Sequence, residues 1–408
     1  MFNLESFINN YVVKRSASMF KDDIRFHMEE LRNVISGKSI LVIGGAGSIG
    51  SSFIKAILPC QPSELVIVDT NENALTGLTR DLRSTEGMYM PNIYIPYPMD
   101  YASVTFKRMF MAHRRADGTD GFDIVANFSA HKHVRSEKDI YSVEALLRNN
   151  VINAKALLDL LCEFPPSIYF CVSTDKAANP VNIMGASKRL MEDLIFSYSS
   201  SFPVKTARFA NVAFSNGSLP AGFLDRISRL QPLSAPSDVR RYFVSPEESG
   251  QICMLAAMLG NNREIFFPRL EAAQMMTFDA IATELLHAYG YEILECESEE
   301  EAIKQAGGLR EGSKQYPVYF SKADTSGEKT YEEFYTWSET VDHTRFQSLG
   351  VIVDKPVPDK AAINHLIKDL DAAFEKCGIG KKDIVRIISD YLPDFKHIET
   401  GKSLDGRM

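Results

Sequence analysis

At 408 residues, 45% hydrophobic and 24% charged, the chain carries enough apolar material for a sizeable core and has the balance of a soluble globular protein. A formal charge of -8 is modest and acidic, which argues against nucleic acid or an anionic membrane as main partner. No apolar run reaches the roughly 18 residues of a membrane span, no signal-peptide core opens the chain, and six scattered cysteines without C-x-x-C or zinc spacing read as reduced core thiols of a cytoplasmic protein with no metal site.

Apolar residues at helical spacing between 4 and 36 (Phe7, Tyr11, Val12, then Phe26, Met28, Leu31) predict a helical extension over 1–37, packed on the first domain or on a second subunit. From Lys38 the pattern becomes strand–turn–helix. KSILVIGG is an unbroken apolar strand of the kind buried on both faces, GAGSIG a turn, SSFIKAIL a helix and SELVIVD a second strand. NIYIPYPMD, FDIVANFSA, the helix VEALLRNNVINAKALLDLL, SIYFCVST, the helix ASKRLMEDLIFSYSS and VKTARFANV continue the alternation. The fold class is therefore α/β, a Rossmann-type doubly wound parallel sheet over 38–215. Beyond Asn216 the alternation loosens. A helix near 277–288, a strand pair near 290–320 and two helices near 360–392 predict a smaller α+β substrate-binding region over 216–408, partly interleaved with the first. The charge cluster ECESEEEAIK (295–304) reads as a solvated loop or helix face.

Gly44-x-x-Gly47-x-x-Gly50 follows a strand and opens a helix, the context in which glycines permit a tight turn and close approach to a pyrophosphate. Ser48 and Ile49 begin that helix. Asp69 ends the second strand 19 residues after Gly50, close to the ~20 expected of a ribose-binding acid. Its carboxylate would accept from the adenosine ribose and repel a 2′-phosphate, favouring NAD over NADP. Asp100, at the end of YIPYPMD, fits either an adenine-binding acid or a plain turn aspartate.

With these residues the chain resembles the extended short-chain dehydrogenase/reductase superfamily, and within it the UDP-N-acetylglucosamine 4,6-dehydratases of bacterial polysaccharide biosynthesis. GGAGSIG (44–50), NFSAHKHV (127–134), NNVINAKALL (149–158), STDKAANPVNIMGASKRL (173–190), RFANVAFSNGS (208–218) and RRYFVSPEE (240–248) carry the likeness over about 200 residues, in order. Where most of the superfamily has Tyr-x-x-x-Lys, this chain has Met184-x-x-x-Lys188. The membrane-bound members have transmembrane helices ahead of this domain; here only a short extension precedes it. The resemblance implies a cofactor shell of Gly44, Gly47, Ser48, Ile49, Gly50, Asp69, Asp100, Ser129, Ala130, Asn150 and Lys188, and a homo-oligomer joined through a helix pair.

A 4,6-dehydration oxidises the sugar at C4, removes the now acidic C5 proton as the 6-hydroxyl leaves, and returns hydride to C6. It needs an acid and a base side by side near the nicotinamide. Asp175 and Lys176, on the loop after a strand, supply them: Lys176 as C5 base, its basicity lowered by Lys188 and the nicotinamide, and Asp175 as acid to the 6-hydroxyl. Thr174 orients the sugar, and Lys188 holds the nicotinamide ribose. Met184 cannot exchange a proton; it packs on sugar or nicotinamide, or is simple core. The 4-hydroxyl proton then leaves through Thr174, Asp175 or water. For the nucleotide sugar, Lys132 lines the pocket and Asn211 with the Ser215–Leu219 turn (Gly217, Ser218) offers amides to the diphosphate. Arg241 clamps it, with Arg240 as rival. His131 and His133 read as structural histidines before acids or bases, and Glu247 as a helix-start acid. Competing functions are an epimerase or reductase of the same superfamily, and a non-catalytic NAD-binding protein.

Overall fold

The computed structural model describes residues 2–132, 137–322 and 333–399. Its N-terminal extension is broken into pieces. Helix α1 (Leu4–Phe7) runs into a π turn (Ile8–Val12), and α2 (Lys21–Phe26) and α3 (Met28–Ile35) follow after an irregular stretch in which Lys14 takes a left-handed φ of 54°. The pieces serve different cores: Phe7, Ile8, Val12 and Val13 enter a smaller one, whereas Phe20, Leu31 and Ile35 enter the main one. The buried positions thus serve two packing faces rather than one extension, while Tyr11 and Phe26 of the same spacing are exposed.

Alternation then sets in as β1 (Ser39–Ile43), α4 (Ser48–Ile57), β2 (Glu64–Asp69), α5 (Glu72–Ser84), β3 (Ile93–Pro98), α6 (Val104–Ala112) and β4 (Ile124–Asn127). Helix α7 (Ile140–Leu147) passes through a π turn (Arg148–Ile152) into α8 (Asn153–Glu163), followed by β5 (Ile168–Thr174), α9 (Ile183–Phe196) and β6 (Val204–Phe209). Strands β1, β4 and β6 are buried along their whole length, β1 and β4 as largely apolar runs and β6 with Lys205, Thr206 and Arg208 among its buried residues. Edge strand β3 is only half-buried, and its Pro96 and Pro98 sit where a missing N–H is tolerated.

The remainder comprises β7 (Asn211–Val212), α10 (Leu219–Ser228), β8 (Leu233–Pro236), β9 (Arg240–Arg241), β10 (Phe243–Val244), α11 (Pro246–Leu259), β11 (Ile265–Pro268), β12 (Met276–Thr277) and α12 (Phe278–Ala288). Next come β13 (Glu292–Glu295), α13 (Glu299–Ala306), β14 (Gln315–Ser321), β15 (Thr340–Asp342), β16 (Leu349–Val353), α14 (Lys360–Phe374) and α15 (Lys381–Tyr391).

The main sheet has nine strands in the order β15-β16-β11-β6-β5-β4-β1-β2-β3. Those from β11 to β3 are mutually parallel, and β16 runs antiparallel to both of its neighbours. Strand order reverses between β1 and β4, which opens a crevice at their carboxyl ends. The sheet does not stop at residue 215: β11, β16 and β15 extend it. Their short apolar runs lie too far apart in sequence for alternation to reveal them, yet β16 is seated so closely that a Cβ at Gly350 would lie 2.3 Å from the Phe267 ring.

A second sheet, β13-β14-β8, is parallel throughout, with α13 between the two strands expected near 290–320. The acidic cluster therefore ends β13 and opens α13, which Ser298 caps. Phe7, Ile8, Phe223, Phe243, Leu285 and Tyr316 centre the smaller core beneath this sheet. All six cysteines are free, but Cys162 and Cys377 are exposed, which corrects the reading of all six as core thiols. No helix among the described residues is long and apolar enough to cross a membrane.

Candidate active site

The three glycines after β1 divide the work. Gly44 has φ 71°, and a Cβ there would meet the Ser129 nitrogen at 2.6 Å, so the turn closes against the end of β4. A Cβ on Gly50 would lie 2.4 Å from the Gly44 oxygen, so this glycine lets α4 pack on the turn. Gly47 differs: its φ is -71°, and a Cβ would find only the Gly44 oxygen at 3.4 Å, an ordinary contact. The protein itself does not require glycine there. Room at Gly47, over the N-terminus of a ten-residue helix, suits a phosphate that needs close backbone approach. Two outcomes follow. Gly50→Ala is expected to destabilise the fold, whereas Gly47→Ala should cost under about 1 kcal/mol of stability. It should nevertheless weaken dinucleotide binding by at least about tenfold, roughly 1.4 kcal/mol. Thermal melts beside titration calorimetry with NAD check both; unchanged affinity in Gly47→Ala removes the cradle.

Asp69 is half-buried at the end of β2, where Oδ2 accepts from Ala46 N (3.0 Å) and Oδ1 from Asn71 N (2.9 Å). It ties the glycine turn to α5, and a carboxylate keeps acceptor capacity beyond these two bonds. Asp100 is exposed, and its Oδ1 accepts from Ala102 N (2.9 Å), the arrangement of a turn aspartate. Ser129 and Ala130 lie half-buried after β4, beside Gly44. Asn150 faces the interior. It is 3% exposed; its amide nitrogen donates to His131 O and Ser187 Oγ, while its oxygen accepts from His131 N and Asn149 Nδ2. All four positions are filled, so Asn150 holds the 129–132 loop on α9.

At the carboxyl end of β5 the chain presents Thr174, Asp175 and Lys176. Asp175 Oδ1 accepts from Thr174 Oγ1 (2.7 Å), Lys176 N (2.9 Å) and Lys176 Nζ (3.1 Å). Asp175 is buried and the Lys176 side chain 17% exposed, so the acid sits behind and the amine in front. Beneath them Lys188 is 4% exposed and donates from Nζ to Val172 O (3.0 Å), with Met191 Sδ at 3.8 Å. Burial lowers its pKa from the ordinary lysine value, against the pull of Cys171 and Glu192. Met184 is 3% exposed and part of the main core, which favours packing over a sugar contact.

Strands β7 and β10 pair in parallel, setting Asn211 opposite Phe243, two residues after Arg241. Arg241 is 6% exposed, with Nη1 donating to Arg240 O, whereas Arg240 is exposed. Of the two rivals only Arg241 is held in the interior. The 215–218 turn is tied to the glycine loop, Asn216 N donating to Ser48 Oγ (2.9 Å); Gly217 takes φ 73° and Ser218 caps α10. His131 and Lys132 are open to solvent, yet the surrounding protein desolvates both enough to lower their pKa. His133 lies outside the described residues. Glu247 is exposed, while its neighbour Glu248 is buried, closes the capping box of α11 with Ser245 and pairs with Arg15 Nε at 2.6 Å.

Sequence reasoning missed the charges under the site. Arg208 on β6 is wholly buried and uses all five N–H groups: on Glu192 Oε1 and Oε2, Glu339 Oε1 and Oε2, and Phe334 O. Ser173, immediately before Thr174, donates to Glu192 Oε1 at 2.6 Å. Charged residues inside otherwise apolar runs, TARF and LMEDLIF, were the available signal.

The sequence model described as "Polysaccharide biosynthesis protein" matches residues 40–347. The chain is 27% identical over 327 residues to the probable polysaccharide biosynthesis protein EpsC of Bacillus subtilis (strain 168), covering 79% of this chain. It spans about half the length of that relative, 52%. It is 25% identical over 320 residues to a UDP-N-acetylglucosamine 4,6-dehydratase (inverting) of Campylobacter jejuni subsp. jejuni serotype O:23/36 (strain 81-176), covering 76% of this chain and 85% of the other. Among solved structures, Pen from Bacillus thuringiensis matches with a TM-score of 0.60 at 20% identity, over 83% of this chain and 98% of that one, a likeness of fold.

Proposed function

The chain belongs to the polysaccharide biosynthesis protein family, and from that premise we propose that it is an NAD-dependent nucleotide-sugar 4,6-dehydratase. Its proposed reaction converts UDP-N-acetylglucosamine to a UDP-4-keto-6-deoxy-N-acetylhexosamine. One observation carries the reading: the hydrogen-bonded run from Thr174 Oγ1 through Asp175 Oδ1 to Lys176 Nζ, at 2.7 and 3.1 Å. It supplies every proton movement the reaction needs without a phenol.

Thr174 Oγ1 takes the 4-hydroxyl proton as it passes its own to Asp175. Protonated Asp175 is then the acid for the departing 6-hydroxyl. Losing its charge also releases Lys176 from the ion pair: the ammonium gives one proton to solvent, the resulting neutral amine takes the C5 proton and later returns it to that carbon, and the amine is reprotonated from solvent once Asp175 is ionised again. One proton leaves the 4-hydroxyl, one arrives at the 6-oxygen, and only water is lost. Bound NAD would supply reversible hydride acceptance. Gly44, Gly47 and Ser48 would hold its pyrophosphate and Asp69 the adenosine ribose, where a carboxylate repels a 2′-phosphate. Lys188 has two of its three donors on Val172 O and Met191 Sδ, leaving one for the nicotinamide ribose. Lys132, Asn211, the Gly217–Ser218 turn and Arg241 would grip sugar and diphosphate, the buried guanidinium suiting a bidentate contact.

Incubating the purified chain with NAD and UDP-N-acetylglucosamine should give a product lighter by one water in the mass spectrum. An isomer of unchanged mass assigns the chain to the epimerases instead. No turnover across a panel of nucleotide sugars removes the catalytic reading.

A further inference from the structure

The segment after α15 returns to the catalytic loop. Phe395 is buried in the main core, and Ile398 N donates to Val181 O at 2.9 Å, just before α9. Between them His397 Nε2 stands 3.3 Å from Glu137 Oε2, with side chains 8% and 5% exposed. The other oxygen of Glu137 accepts from Met184 N at 2.9 Å, and its backbone oxygen accepts from Lys381 Nζ at 3.1 Å. Lys381 in turn pairs with Glu399.

Met184 N is one of the N–H groups that a helix start leaves without an intrahelical partner. Asn182 caps Gly185 N at 2.7 Å; Glu137, far away in sequence, caps Met184 N. A negative group is favoured there by the helix dipole. The next residue transmits the placement: a Cβ on Gly185 would lie 2.7 Å from the Lys176 oxygen, so the first turn of α9 packs directly against the Lys176 backbone. A continuous path of contacts therefore runs from His397 through Glu137, Met184 N and Gly185 to Lys176.

We propose that His397 is a positioning residue for the dehydratase, acting through Glu137 to fix α9 and thereby Lys176. The inference rests on the catalytic reading of Lys176 above. His397→Ala should lower kcat roughly 10- to 100-fold, since small misplacements of a catalytic group cost this much, with KM for UDP-N-acetylglucosamine little changed. His397→Gln, which can still donate toward Glu137, should recover most of the loss. Backbone amides of 181–186 should exchange hydrogen faster in His397→Ala while the rest of the sheet keeps its protection. Wild-type kcat together with wild-type exchange in His397→Ala overturns the proposal. So does a loss spread evenly over KM and global stability. If His397→Ala does not fold, His397→Gln is compared with His397→Leu, and equal exchange at 181–186 overturns it likewise. Should the wild-type chain turn over no nucleotide sugar, the functional reading fails, but the exchange measurement still decides whether the tail holds α9.

Discussion

Lys176→Ala is expected to reduce turnover of the nucleotide sugar by about 10²- to 10⁴-fold, the span that a positioned acid–base group contributes, while NAD binding is retained. Lys176 Nζ is the amine presented at the front of the Thr174–Asp175 run, and only its neutral form can accept a proton. Lys176→Arg separates this role from simple electrostatics. A guanidinium restores positive charge and can still pair with Asp175, but it stays protonated at any usable pH. Both variants should therefore show this loss, and exchange of the C5 hydrogen of the substrate with deuterated water should fall with it. Substantial activity in either variant assigns the base elsewhere. Titration calorimetry with NAD guards against a misfolded site.

Arg208→Met is expected to cost about 3–5 kcal/mol of folding free energy, because it strips the guanidinium from two buried carboxylates and leaves only Glu339 with a cation, Lys355, in contact. Glu192 and Arg208 are 0% exposed and Glu339 4%. The burial penalty on Glu339 is outweighed by the Arg208 guanidinium, with Lys355 assisting, so its carboxyl is held down at about 2. Glu192 is likewise lowered, burial opposing and Arg208 prevailing. A carboxyl depressed in the folded state contributes stability that is complete above its unfolded value, 4.5 for Glu339, and is lost as pH falls through that value toward 2. In Arg208→Met burial acts on Glu192 without that opposition, so acidification should relieve the variant while it weakens the wild type. The gap between them should narrow as pH falls. Urea unfolding at neutral and acidic pH measures this; a neutral-pH loss under about 1 kcal/mol, with unchanged slope, would show that the network is not needed for stability.

The alternation of β1 to β6, the glycine turn and Asp69 were legible in the sequence because each is a local pattern. Strand burial imposes continuous apolar runs, and a phosphate-binding turn imposes glycines at fixed spacing. The adjacency of Thr174, Asp175 and Lys176 was legible for the same reason. What the tertiary structure alone decided is long-range. Strands β11, β16 and β15 complete the sheet from distant segments, and the N-terminal pieces divide between two cores. Asn150 spends its amide on protein, Arg208 gathers Glu192 and Glu339, and His397 reaches Glu137 across 260 positions. Such partners leave no periodic trace, since a buried charge requires only that some partner meet it in space, at whatever distance along the chain.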